Sequence, residues 1–177
     1  LSADLTSSCE VDGFRDRHPE QFISLGMAEQ NMMSFAGGLA LAGYRPFIHT
    51  FGVFMYRRPY DQLVASIAYP RRKVRLMGFL PGVTTPGGMT HQSIEDISVM
   101  RSIPNMTILE TGDATEVESI CEAADSTPHN GFLKFASLIV STQIATAFFC
   151  TNRRFLRTGS PARTLCKGTS STRLSSS

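Results

Sequence analysis

The last 52 of the 177 residues contain no acidic residue. All fifteen Asp and Glu lie at or before Asp125, accompanied by ten Lys and Arg, and the remaining seven basic residues follow without an acid. The formal net charge of +2 therefore conceals a body of charge −5 and a tail of charge +7. A long apolar run is also missing. Leu138 to Cys150 comes nearest, is interrupted by Ser, Thr and Gln, and falls short of the roughly 20 residues a membrane helix needs. No transmembrane span and no membrane partner are expected. The chain opens at Leu1 with neither an initiator Met nor a charged-then-apolar leader, so no signal peptide is read and a fragment is expected. Cys9, Cys121, Cys150 and Cys166 are scattered, with no CxxC or other metal-ligand spacing. Disulfides are not expected beside this much potential core, and a reducing, cytoplasmic setting fits the thiols better. Neither a GxGxxG nor a P-loop pattern occurs.

What is present is enough apolar residue, 42% of the chain, for one α/β core of roughly 125 to 135 residues. From Gln21 to Asp125 short apolar clusters alternate with helical periods. Phe22 to Leu25 reads as a short strand ended by Gly26, and Met27 to Ala42 as a helix closed by Gly43. Arg45 to Thr50 suits a second strand, Val53 to Ala68 a second helix with Pro59 as a kink or break, and Val74 to Phe79 a third strand. A loop from Leu80 to Thr90, rich in Gly and Pro, leads into a helix from about His91 to Arg101, then a strand from Met106 to Leu109 and a helix opened by Asp113 or Thr115. This alternation predicts an α/β fold, a mostly parallel sheet flanked by helices. After Gly131 the pattern changes, and residues 151 to 177 are rich in Ser, Thr and Arg. The dispersed arginines carry no aromatic ladder, so an aberrant or disordered tail is expected over 132–177 rather than a nucleic-acid arm.

Three segments carry chemistry. Gly26-Met27-Ala28-Glu29-Gln30-Asn31-Met32 places an acid at a helix start just after a strand. In parallel α/β sheets ligands sit at the carboxyl ends of strands, where such a carboxylate can carry a proton; the same residue can simply favour the helix N-terminus. Thr50 to Gln62 is an aromatic cluster at a strand-to-helix junction, whose rings suit stacking on a flat heterocycle or filling a core. Gly87 to Asp96 is a glycine-rich loop that delivers His91, a proton shuttle or hydrogen-bond donor near neutral pH.

The order and spacing of these segments are more specific than any one of them. With Ser2-Ala3-Asp4-Leu5, Gly43-Tyr44-Arg45-Pro46-Phe47, Tyr60-Asp61-Gln62, Thr90-His91-Gln92-Ser93-Ile94-Glu95-Asp96 and Ile103-Pro104-Asn105-Met106-Thr107, the chain resembles the pyrimidine-binding domain of transketolase-like, thiamine-diphosphate-dependent enzymes over residues 1–131. The resemblance implies that Glu29 hydrogen-bonds a ring nitrogen of the cofactor's aminopyrimidine and that Phe54, with Phe51 beside it, packs on that ring. It implies that His91 contacts substrate hydroxyls near the reacting carbon, that Asp4 lies near the thiazolium and that Ser8 lies close to the sugar phosphate. The cofactor supplies the carbanion chemistry and the protein the orientation.

The chain departs from the family at two substrate positions. An acid common four residues before the histidine is here Gly87, and a histidine often found twelve before it is Phe79. The diphosphate- and magnesium-binding domain is also outside this sequence. The resemblance therefore implies the C-terminal-half subunit of a split transketolase, with thiamine diphosphate and magnesium held largely by an N-terminal-half, diphosphate-binding subunit. A homodimer or heterotetramer with an exposed apolar face is expected, acting on sugar phosphates. The acid-free tail is expected to reflect a reading-frame change or mispredicted gene end near Gly131 to Lys134. The rival readings are a 1-deoxy-D-xylulose-5-phosphate synthase-like fragment and a catalytically inert domain; Asn31 and Ile94-Glu95-Asp96 favour transketolase over the synthase.

Overall fold

The computed structural model describes residues 1–9, 11–83, 85–112, 116, 117, 119, 120 and 123, together with the backbone of 131–135. Its sheet is parallel throughout: β1 (Phe47–Phe51), β2 (Arg75–Phe79), β3 (Thr107–Thr111) and β4 (Gly131–Phe135), in spatial order β1-β2-β4-β3. The register sets Phe51 beside Phe79 and Thr111 beside Phe135, so the strands finish at one common edge. Ser2 adds a rung beyond β1, bridging His49 on one side and Ser24 on the other. Residues 136–177, the greater part of the tail expected from 132 onward, lie outside the described residues.

The two faces of the sheet follow from the period-2 alternation of side chains along a strand. Ile48 of β1, Leu76 of β2 and Ile108 of β3 face one core, where they meet Met32, Met33 and Ala36 of helix α2 (Glu29–Leu41) together with Leu63, Ile67 and Met100. Phe47 and Phe51 of β1, Met77 and Phe79 of β2 and Leu109 of β3 face the other, with Cys9, Val11, Val53, Phe54 and Val117. Each fully buried aliphatic chain in these clusters stabilises the fold by about 1.5–3 kcal/mol of transfer free energy. Gly37 sets how closely α2 lies on its neighbour, since a Cβ there would stand 2.5 Å from the carbonyl oxygen of Ser66. The short helix α1 (Asp12–Arg17) buries no residue.

Local structure departs from the sequence expectation where tertiary contacts compete with propensity. The expected strand Phe22 to Leu25 is reduced to the single bridge at Ser24, with Ser2 donating to Ile23 and Leu25 to Ser2, each at 3.0 Å. The helix over Val53 to Ala68, expected to kink or break at Pro59, does break there into α3 (Gly52–Tyr56) and α4 (Tyr60–Leu63), and the departure from expectation is that it closes in a π-helical turn over Val64–Ala68. The break falls at Arg57, Arg58 and Pro59, as the missing N–H of proline requires. The helix expected from His91 begins only at Asp96, as α5 (Asp96–Arg101). Gly88–Thr90 forms only a 3-10 turn, and Ser93 exchanges two backbone hydrogen bonds with Gly82, at 2.7 and 2.9 Å, a bridge that keeps a continuous helix from starting at His91. The helix start expected at Asp113 or Thr115 lies outside the described residues, and helical backbone is present at Glu116, Val117, Ser119 and Ile120.

Candidate functional site

Because the strands are parallel and end at one edge, the segments that follow them gather there. The turn after Ser24 and Leu25 opens α2 with Glu29; β1 ends in Phe51 and passes directly into α3, which presents Phe54 one turn later; β2 feeds the glycine-rich loop that carries His91.

Four of the expected residues come together. The rings of Phe51 and Phe54 stack with centroids 5.9 Å apart and planes 21° apart. The His91 ring meets both edge-on, 5.2 Å from Phe54 and 6.3 Å from Phe51. Glu29 is buried, with a side chain only 6% exposed, and its Oε1 accepts a 2.6 Å hydrogen bond from Nη1 of Arg58. The same guanidinium lies over the Phe54 ring, 4.0 Å from its centroid, within the range of cation–π attraction. Carboxylate, guanidinium, phenyl and imidazole therefore form one connected chain of contacts. Outside it opens a hollow of ≈ 340 Å³ lined by Met27, Ala28, Glu29, Gln30, Asn31 and Arg58.

His91 is set by its own loop. Nδ1 lies 2.8 Å from Oγ1 of Thr90, and Thr90 in turn donates to the carbonyl of Gly87 at 3.2 Å. When the hydroxyl proton points to Gly87, Oγ1 accepts from Nδ1–H, and that tautomer leaves the Nε2 lone pair available. Gly87 itself lies under the imidazole: a Cβ would stand 2.6 Å from Cγ of His91. The absence of an acid at Gly87 and the resting place of the histidine ring are thus one structural fact.

A second clasp holds the loop from outside. Arg57 donates from Nε to Oε1 of Glu95 at 2.5 Å and from Nη1 to the carbonyl of Met89 at 2.9 Å. The hydrogen bond from Arg57 is the main cause holding the Glu95 carboxyl down at about 2. Behind it, Ser93 donates to the buried Asp96 at 2.9 Å, and Asp96 accepts from the backbone N–H of Ile97 at 2.8 Å, which fixes the start of α5.

Asp4 and Ser8 are placed differently. Both are exposed, on the segment that leaves the Ser2 rung toward the same edge, and Asp4 has a left-handed backbone with φ 61°. Among the described residues no hydrogen bond, ion pair or ring contact joins either of them to Glu29, Phe51, Phe54 or His91. Their segment is nonetheless anchored on that cluster, through Cys9 and Val11 buried with Phe51 and Phe54. The sequence reading gave no role to Arg57 or Arg58. Their only signal was a tandem of charges inside an aromatic helix, immediately before a proline. Among the described residues no group of three His, Cys, Asp or Glu is gathered that would hold a metal ion, and no helix is long and apolar enough to cross a membrane.

Taken together, the parallel sheet, the carboxylate at its carboxyl edge and the adjoining ring platform define an α/β domain suited to a flat, hydrogen-bonding ligand. Residues 1–136 match the family model described as transketolase, pyrimidine binding domain, and the chain belongs to that family. It is 42% identical over 120 residues to the 6-deoxy-6-sulfo-D-fructose transketolase subunit of Clostridium sp. (strain MSTE9), a match spanning 67% of this chain and 37% of that protein. Against 1-deoxy-D-xylulose-5-phosphate synthase of Nitratidesulfovibrio vulgaris (strain DP4) it is 34% identical over 119 residues, 67% of this chain and 18% of that one. A solved structure described as a split gene transketolase, inactive beta4 tetramer, superposes with a TM-score of 0.65 at 34% identity, covering 75% of this chain and 43% of that chain. The chain spans less than half the length of each of these relatives.

Proposed function

We propose that the chain is the pyrimidine-binding half of a transketolase-like enzyme that moves a two-carbon ketol unit between sugar phosphates. The observation that carries this reading is the buried Glu29 carboxylate beside the stacked Phe54 and Phe51 rings, at the ligand edge of a domain of this family. The site fits the aminopyrimidine of thiamine diphosphate: a carboxylate for a ring nitrogen, an aromatic face for the ring, and an open hollow beside them. When bound, that cofactor supplies the nucleophilic carbon that accepts the two-carbon unit.

The chain's own residues supply orientation and proton handling. Glu29 shares a proton with the ring nitrogen and fixes the ring's rotation. Phe54, with Phe51 behind it, sets the plane of the ring and excludes water from that face. His91, with Nε2 available, accepts or donates a proton at a substrate hydroxyl. Asp4 faces the thiazolium side and Ser8 the sugar phosphate. The diphosphate and its magnesium belong to an N-terminal-half partner subunit, so the assembled enzyme is a dimer of halves or a higher assembly.

The test mixes the chain with such a partner, thiamine diphosphate and magnesium, and measures ketol transfer from a ketose phosphate to an aldose phosphate. Activity should fall at least about 100-fold in Glu29→Gln, the scale of a lost proton-transfer group; an unaltered rate would overturn the assignment. The relationship to deoxyxylulose phosphate synthases favours a second reading, which deoxyxylulose phosphate formation from pyruvate and glyceraldehyde phosphate would select. The chain without a partner should be inert, a reading supported by the inactive beta4 assembly of its split-gene relative.

A further inference from the structure

Arg58 rests where a flat ring would lie. The central carbon of its guanidinium lies over the Phe54 ring, 4.0 Å from the centroid, and the group donates to Oε1 of Glu29 at 2.6 Å. One planar group with N–H donors thus satisfies both features, aromatic face and carboxylate, that the proposed function gives to the aminopyrimidine. A ring face and a carboxylate oxygen at these distances cannot serve two planar groups at once. We infer that Arg58 is a built-in occupant of the pyrimidine site, and that its displacement sets how tightly the site takes a ring; this rests on the reading of Glu29 and Phe54 given above.

The arginine is placed to leave. Its side chain is 50% exposed, so water can take up the guanidinium, while the buried Glu29 carboxylate, 6% exposed, is left to be satisfied by the N–H donors of the incoming ring. It stands in the joint between α3 and α4, where its backbone carbonyl accepts from Nε2 of Gln30 at 3.3 Å. The side chain can therefore swing without moving the chain that carries Phe54. Arg57 does not substitute for it, being engaged with Glu95 and Met89. Apparent affinity falls by the fraction of time the site is open, so a site closed nine-tenths of the time binds about tenfold more weakly than an empty one.

Two measurements on the full chain test the inference. In the free protein, NMR should find the Arg58 side-chain protons shifted upfield by the Phe54 ring, and thiamine, used as the probe, should return them to solvent-like positions. Thiamine titrations should show Arg58→Ala binding about tenfold tighter than wild type, Arg58→Gln tighter as well, and Glu29→Gln weaker. Absence of the upfield signature, or weaker binding by Arg58→Ala, overturns the inference while leaving the proposed function intact provided binding depends on Glu29. If the signature is present but neither wild type nor Arg58→Ala binds thiamine, the inference fails, while the proposed function is judged separately by ketol transfer with the partner subunit.

Discussion

Gly87 and His91 illustrate how one residue type constrains another. The imidazole occupies the space above Gly87, where a Cβ would stand 2.6 Å from the ring. Gly87→Ala should therefore turn His91 away from Phe54 and Phe51. Because His91 lies at the half-buried rim of a loop, the cost in stability should stay below about 1 kcal/mol. The His91 ring protons should nevertheless lose their aromatic ring-current shifts by NMR, and retained shifts would show that the loop adapts instead. At this scale local strand-to-helix signals offered Glu29, His91 and the aromatic cluster from Thr50 to Gln62 as candidates, and the family resemblance singled out Phe51 and Phe54 within that cluster. Arg58 was not, since its partner Glu29 is 29 residues away and no local pattern encodes that pairing.

Among the elements, the segment from Gly52 to Ala68 departs most from its sequence pattern. Its apolar periodicity is continuous, yet the interruption at Pro59 divides it into α3, α4 and a π-turn. The break gives the two arginines diverging tasks, Arg58 toward α2 and Arg57 toward the His91 loop. The late start of α5 has the same origin, a tertiary bridge between Gly82 and Ser93 that outweighs helical propensity over 91–95. The packing of α2 on the π-turn gives a direct test. Gly37→Ala places a methyl 2.5 Å from a backbone oxygen of Ser66, an overpacking that should cost about 1–3 kcal/mol, read as a lower urea midpoint at unchanged slope. An unchanged midpoint would mean that the two helical segments separate without strain.

For the whole molecule, the buried His49 makes stability depend on pH. Burial in the middle of β1 is the main cause lowering its pKa from 6.5 to about 3. The folded state then binds fewer protons than the unfolded chain, so stability is complete above the unfolded pKa and is lost as pH falls from about 6.5 toward 3. The slope should reach about 1.4 kcal/mol per pH unit. Urea unfolding at pH 7, 6 and 5 should show the decline, and His49→Gln should flatten it; an equal slope in that variant would assign the effect elsewhere. The sequence by itself determined the α/β class, the strand-helix alternation and the residues at the strand ends, because these depend on local periodicity and turn chemistry. Only the tertiary structure decided the strand order, the joining of Glu29 to Phe54 through Arg58, and the meeting of His91 with Phe54 and Phe51. Those depend on which segments meet across the carboxyl edge of the sheet, and contacts between residues far apart in the chain exist only once the parallel strands have been laid side by side.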